Sequence, residues 1–267
     1  MKELLAWFGL KCFPFDKHIK PQEAMDTEPL QECLARLDYI KRRGGILLLS
    51  GDPGVGKTLA LRCFVQSLNE NLFKPFYTPL STLSRTDILF HLNRMFGLPH
   101  KVSKSSVYTQ IQNYLLESKE ARGKTAVLII DEAHLLQSGP LEEIRLLTNF
   151  KMDSYDPFIL ILSGQSDLKR TMEFAIMQPF NQRIAMRYHM PPLNPEQCKH
   201  YVRHHLKLAG ATEPILDDQA LDVIHEISFG IPRKIGALTE QALTYAMFDQ
   251  KRTVSAEIVL KMKKLQV

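Results

Sequence analysis

Gly51-Asp52-Pro53-Gly54-Val55-Gly56-Lys57-Thr58 is the stretch on which the reading of this chain turns. It fits GxxxxGK[ST] at every fixed position. Ahead of it, Gly45–Ser50 (GILLLS) is a short apolar run with the mark of a buried strand; behind it, Lys57–Leu68 is helical in pattern. Strand, glycine-rich turn and helix are the context in which this octapeptide holds phosphate. Its glycines let backbone N–H groups turn inward around an anion, and the helix start adds its positive dipole end. In such a loop Lys57 reaches the β- and γ-phosphates and the Thr58 hydroxyl is a Mg²⁺ ligand. Gly51, Asp52, Pro53, Gly54, Val55, Gly56, Lys57, Thr58 and Leu59 are therefore the expected phosphate-binding residues.

Strands and helices alternate outward from that loop. Phe76–Pro79 is a weaker β-like run that leads to a helix around Thr86–Phe96. Thr125–Ile130 ends in DEAH, and Phe158–Ser163 ends in GQSD. In Ala185–Met190, Met186, Tyr188 and Met190 alternate with Arg187 and His189. This alternation predicts a parallel sheet joined by crossover helices, with strands covered on both faces. The β-like runs stop at Pro191-Pro192. Helical segments follow near Pro195–Ala209, Asp217–Ser228, Pro232–Phe248 and Ser255–Lys264, punctuated by Gly210, Gly230 and residues 249–253. The expected organisation is α/β: a five-stranded parallel sheet in residues 1–191, a hinge at Pro191–Pro195 and a small helical domain in residues 192–267.

Composition narrows the class. The 267 residues are 45% hydrophobic and 24% charged, which suits a packed core and excludes a disordered tail or a fibre. Runs such as Ile46–Leu49 and Ala126–Ile130 fall far short of the ~20 apolar residues that cross a bilayer. The opening MKELLAWFGLKCFPFD lacks the apolar core of a signal peptide, so the expectation is a cytoplasmic protein with no membrane contact. Cys12, Cys33, Cys63 and Cys198 are far apart and read as free thiols. Lys plus Arg is 34 against 29 acids, a net charge of +5, which permits a nucleic-acid partner without demanding one. The excess is concentrated at Lys101, Lys104, Lys119, Arg122 and Lys124, and again at residues 251–267. His200, His204 and His205 have helical spacing, but Lys199, Arg203 and Lys207 beside them argue against a zinc site. Phe8, Phe13 and Phe15 either wall a base or pack in a core.

Polar residues at strand ends carry the remaining chemistry. Asp131 can hold Mg²⁺ through water, and Glu132 can orient and deprotonate an attacking water. His134 reads as a neighbour of that site or as ordinary packing. Gln165, after the fourth β-like run, can touch γ-phosphate and attacking water, or serve only as a turn residue. Arg183, in FNQRIAMRY, precedes the fifth run, and Arg233, in GIPRKI, opens a helix of the second domain. An arginine lent by a neighbouring subunit can raise phosphoryl-transfer rates by about 10³–10⁵. Arg183 is placed for that, with Arg187 as runner-up, and Arg233 is placed to reach nucleotide from the helical domain; a simple salt bridge is the alternative for each.

In this order the set resembles the AAA+ ATPases. The resemblance is narrower still. FGLKCFPFD, VLIIDEAHLL, EEIRLLTNF, ILSGQSDL, FNQRI, YHMPPLNPEQ, YVRHHLKLAG and FGIPRKI run in the order seen in the secretion-pathway protein A type, over nearly the whole chain. The resemblance implies an AAA+ P-loop domain with a C-terminal helical lid, and ATP as the ligand whose phosphates residues 51–59 hold. It makes Asp131 and Glu132 the Walker B pair, Gln165 sensor 1, Arg183 a trans-acting finger and Arg233 sensor 2. Residues 169–181 are longer or less regular than that pattern. One branch of the family serves secretion; another resembles helper ATPases of transposition. The second implies a homo-oligomeric ring or filament on double-stranded DNA, presenting target DNA to a DDE-type transposase. Lys101, Lys104, Arg122 and Lys124 are then the expected phosphate contacts, without base reading. The alternative is a secretion or envelope-assembly ATPase acting on a protein partner.

Overall fold

The computed structural model describes residues 2–16, 19–79 and 83–265, the side chains of Lys264 and Leu265 excepted. In chain order the elements are α1 (Lys2–Phe8), α2 (Glu28–Arg43), β1 (Gly45–Ser50), α3 (Lys57–Ser67), β2 (Phe73–Pro79), α4 (Asp87–Met95) and α5 (Lys104–Glu120). Then come β3 (Thr125–Asp131), α6 (Ser138–Leu147), β4 (Phe158–Gly164), α7 (Ser166–Glu173), α8 (Gln178–Asn181) and β5 (Ile184–His189). The chain ends with α9 (Pro195–Leu208), α10 (Asp218–Ser228), α11 (Pro232–Phe248) and α12 (Ala256–Leu265). Two compact units emerge: one of residues 32–51 and 57–190, the other of residues 1–31, 52–56 and 191–267. No helix among the described residues is long and apolar enough to cross a membrane.

The first unit is built on a five-stranded sheet in the order β2-β3-β4-β1-β5, with every pairing parallel. Every residue of β1, β3 and β4 is buried, as continuous apolar strands covered on both faces require. Ile46, Leu48, Leu128, Ile130, Leu160 and Leu162 join one core with Ile88, Leu92, Ile111 and Leu115. Strand alternation sends Leu47 and Leu49, also buried, to the other face. Ser50 registers with Gly164 on β4 and His189 on β5, and Asp131 with Pro79 on β2. The carboxyl ends of the strands therefore share one edge, where open α/β sheets bind their ligands.

Two elements extend beyond their sequence signals. β2 starts at Phe73, three residues before its apolar run, because it is an edge strand: Phe76 and Thr78 point inward, whereas Lys74, Pro75 and Tyr77 are exposed. An edge strand also tolerates Pro75, which cannot donate to a ladder. The charged stretch after residue 101 folds as α5, whose Val107, Ile111 and Leu115 are buried at helical spacing. Ser103 caps it, its hydroxyl accepting from Ser106 N at 3.2 Å.

The second unit is helical. Leu193, Val202, Leu206, Leu221, Ile235 and Leu243 form its core, and Leu4 and Leu10 belong to the same cluster. The sequence reading grouped the N-terminal arm with the sheet; the apolar contacts of that arm lie instead with these helices. Phe8, Phe13 and Phe15 pack against the cluster, and Phe15 stacks on His205 at 5.1 Å between ring centroids. The arm's own hydrophobic residues explain the grouping: its short helix cannot bury Leu4 alone. The rings of His204 and His205 bond backbone carbonyls, of Glu23 and Pro14, both at 2.8 Å. At Gly230, φ is +68° and an added Cβ would stand 2.1 Å from Leu193 O. Only glycine fits where the chain turns from α10 into α11.

His205 is 5% exposed, and burial depresses its pKa to about 4, partly offset by the hydrogen bond to Pro14. The unfolded chain takes up this proton near pH 6.5, the folded chain only near 4. Stability from this group is thus complete above pH 6.5 and declines as pH falls toward 4. The expected loss is on the order of 2–3 kcal/mol. Denaturant unfolding between these pH values should show that slope in the wild type and a smaller one in His205→Gln.

Candidate nucleotide site

The site begins where β1 gives way to α3. Between them Gly54 and Gly56 adopt φ of +90° and +111°, the left-handed region that turns a backbone back on itself. A Cβ on Gly54 would lie 2.7 Å from Arg233 Cβ and 3.2 Å from Ile231 Cγ2. Arg233 N donates to Gly54 O at 3.3 Å. Arg233 therefore meets the glycine loop through its backbone and Cβ, at the start of α11. The Lys57 side chain is buried, and its Nζ donates to Gly51 O at 2.7 Å.

Asp131 closes β3 and is 2% exposed. A buried carboxylate needs donors, and this one has four among the described residues. Thr58 Oγ1 and Tyr77 OH donate to Oδ2 at 2.9 and 3.1 Å. Ser163 Oγ and the Glu132 backbone N–H donate to Oδ1 at 2.7 and 3.0 Å. The Thr58–Asp131 bond joins the start of α3 to the end of β3 across 73 residues. A hydroxyl and a carboxylate side by side are hard oxygen donors of the kind that hydrated Mg²⁺ accepts, so the residues present fit such an ion.

Glu132 follows in a left-handed conformation, φ 55° and ψ 30°. For a residue with a Cβ that conformation costs of order 1–2 kcal/mol, and it releases the side chain from strand alternation. Its carboxyl is 45% exposed, with Oε2 3.6 Å from His134 Nδ1. The same ring nitrogen faces Gln165 N at 3.4 Å. His134, ambiguous in the sequence, thus sits between Glu132 and Gln165. Gly164 permits the approach, since a Cβ there would come within 3.0 Å of His134 N.

The predicted finger precedes β5. Arg183 Nη1 donates to Thr148 Oγ1 at 2.9 Å and Nη2 pairs with Asp153 Oδ1 at 2.8 Å, leaving the side chain 20% exposed. Arg187 is engaged by Asn181 O and Oδ1, at 2.5 and 2.7 Å. Of the four basic candidates, Lys101, Lys104 and Arg122 are exposed, and Lys101 and Arg122 line one groove along α5. Lys104 Nζ pairs instead with Glu143 Oε1 at 2.8 Å, a carboxylate 2% exposed that Arg85 also holds. Lys124 is half-buried.

Sequence reasoning missed Tyr77 and Ser163. A signal for Ser163 was present, because a lone hydroxyl ending the apolar run FILILS needs a buried partner. Tyr77 offered no such signal; it is half-exposed on an edge strand. Burial, then the Asp131 and Glu132 carboxylates, push its phenol up to about 12. Ser163→Ala leaves Asp131 Oδ1 with one donor in a buried position and should cost about 1–3 kcal/mol in denaturant unfolding. Tyr77→Phe, at an exposed ring, should cost less by the same measurement.

A family model described as an AAA domain matches residues 40–172. The chain is 35% identical over 244 residues to general secretion pathway protein A of Aeromonas hydrophila, covering 90% of this chain and 44% of that protein. It is 27% identical over 163 residues to the ATP-dependent target DNA activator B of Escherichia phage D108, covering 58% of this chain and 48% of that one. The chain thus spans less than half the length of these curated relatives. Cdc6p from Pyrobaculum aerophilum matches in structure with a TM-score of 0.68 at 16% identity, over 94% of this chain and 70% of that chain. The RuvB branch migration motor of Thermotoga maritima matches at 0.56 and 21%, over 95% and 73%. The two structural likenesses concern the fold. With the sequence kinship added, the chain belongs to the AAA+ P-loop ATPases.

Proposed function

We propose that this chain hydrolyses ATP with Mg²⁺ and uses the nucleotide to control a homo-oligomer on double-stranded DNA. The Thr58–Asp131 hydrogen bond carries the nucleotide half of this reading, because it couples the phosphate loop to the acid beside it. Residues 51–59 hold the phosphates, with Lys57 as the counter-charge. Thr58 and Asp131 hold the cation, which would screen the phosphate oxygens when bound. Glu132 takes the proton of the attacking water, and Gln165 orients that water against the γ-phosphate. Arg233, at the start of α11, is the residue that reads the nucleotide from the helical unit. Arg183 completes a neighbouring copy's site, which requires it to leave Asp153. Hydrolysis then loosens the assembly.

The DNA half rests on likeness to the phage DNA activator and on the exposed cations Lys101 and Arg122. A DDE-type transposase is the protein partner and the cytoplasm the compartment in this reading. A second reading, a secretion or envelope-assembly ATPase moving a protein partner, draws on the likeness to general secretion pathway protein A, which extends over 90% of the chain.

Fluorescence anisotropy with duplex DNA separates the two. Salt-sensitive binding that needs a slowly hydrolysed ATP analogue supports the DNA reading, and Lys57→Ala should abolish it. Absence of binding favours the protein partner. Glu132→Gln should retain ATP affinity while turnover falls about 10²–10⁴-fold; wild-type turnover in that variant contradicts the assigned base. Arg183→Ala should lose turnover, and mixing it with Glu132→Gln protein should restore some if the arginine acts in trans. An unrestored mixture assigns Arg183 to its own protomer.

A further inference from the structure

We propose that the exposed face of α5 is the surface that follows a DNA strand, through phosphate contacts running from Lys101 to Arg122. This rests on the DNA-binding reading above and names its surface. An open groove of about 660 Å³ runs beside the helix, with Lys101 and Arg122 both in its lining. Lys101 stands just before the first turn and Arg122 just after the last. The helix between them has 17 residues, so the two cations bracket a track about 25 Å long.

Between the two cations the exposed side chains of α5 that line the groove are mostly polar. Ser105, Thr109 and Asn113 line the groove and are exposed. They recur every fourth residue, which places them on one face at steps of about 6 Å. That repeat is of the order of the separation between successive phosphates on a strand. Hydroxyl and amide side chains, like Lys and Arg, are usual donors to phosphate oxygens, and they position a duplex without reading bases. Among the described groove-lining residues Glu117, next in that row after Asn113, is the only acid. The buried side of α5 is apolar and fixed, with Val107, Ile111 and Leu115 in the core, so the donors sit on a rigid element.

The same geometry decides between the basic residues. Lys104 lies at the start of α5 but is turned to Glu143, so it does not extend the track. A second cationic cavity, lined by Lys41, Arg42, Arg43 and Lys119, lies at the amino ends of β2 and β3. There Lys41 and Arg42 pair with Asp38, in the last turn of a helix whose dipole favours cations. Those residues have a local partner, whereas Lys101 and Arg122 stand at an open groove.

The test is a salt titration of duplex DNA binding by the full chain with a slowly hydrolysed ATP analogue. The logarithm of affinity falls linearly with the logarithm of salt, with a slope set by the number of phosphates neutralised. Lys101→Ala and Arg122→Ala should each weaken binding and reduce that slope by about 1. Asn113→Asp should weaken binding by adding a negative charge in mid-track. Melting temperature and ATP affinity, unchanged in all three, confirm that the fold and nucleotide site persist. If the unaltered chain binds no DNA, the DNA reading falls and the groove with it. If it binds but the three variants keep its affinity and slope, the groove alone is wrong. Slope loss on Arg42→Ala with Arg43→Ala, and none at Lys101 or Arg122, would move the surface to the base of the sheet.

Discussion

The Asp131 carboxylate is the constraint around which the sheet edge is arranged. A charge almost excluded from water would cost several kcal/mol if left without donors. Its partners come from β2, β4, the start of α3 and the next residue of its own chain. Their convergence requires β3 to lie between β2 and β4 and the ends of all three strands to coincide. The observed order and register meet both conditions. Sheet topology and site geometry are therefore one problem: a slip of one residue in β3 or β4 would face the Ser163 or Asp131 side chain the wrong way.

Directly beyond this rigid anchor the backbone becomes permissive. Glu132 leaves strand geometry at once, and its carboxyl reaches solvent while Asp131 remains inside. Adjacent acids of the same type thus receive opposite environments from one backbone turn. The buried one is held by hydrogen bonds and suits a fixed charge. The exposed one has a histidine 3.6 Å away and room to move, which suits a group that must exchange a proton with water.

Much of this was legible in the sequence because it depends on local pattern. The glycine loop, the apolar runs of β1, β3 and β4, and the acid pair each announce themselves within ten residues. The interior strands read most clearly because burial on both faces leaves no polar interruption. Edge strand β2 was harder to bound, since only Phe76 and Thr78 face inward and Pro75 resembles a break. Long-range choices were not legible. Nothing in the neighbourhood of Tyr77 or Glu143 reveals that one will donate to Asp131 and the other will capture Lys104. Nor does local pattern say that Leu4 and Leu10 will join the C-terminal helices, because an amphipathic arm is satisfied by any apolar surface within reach.

The arginines show why residue type and position in the chain do not by themselves fix a role. Arg183 stands where a transferable positive charge would be useful, yet in the single chain its guanidinium is already held by Thr148 and Asp153. Asp153 is more than half exposed, so the pair gains little from the attraction it offers. In the proposed assembly, a triphosphate on another copy would present more charge than one carboxylate does. There the exchange of Asp153 for phosphate would favour Arg183 only when a neighbour presents a nucleotide. An arginine held this way in the free protomer is what the proposed coupling of chemistry to an oligomer would require.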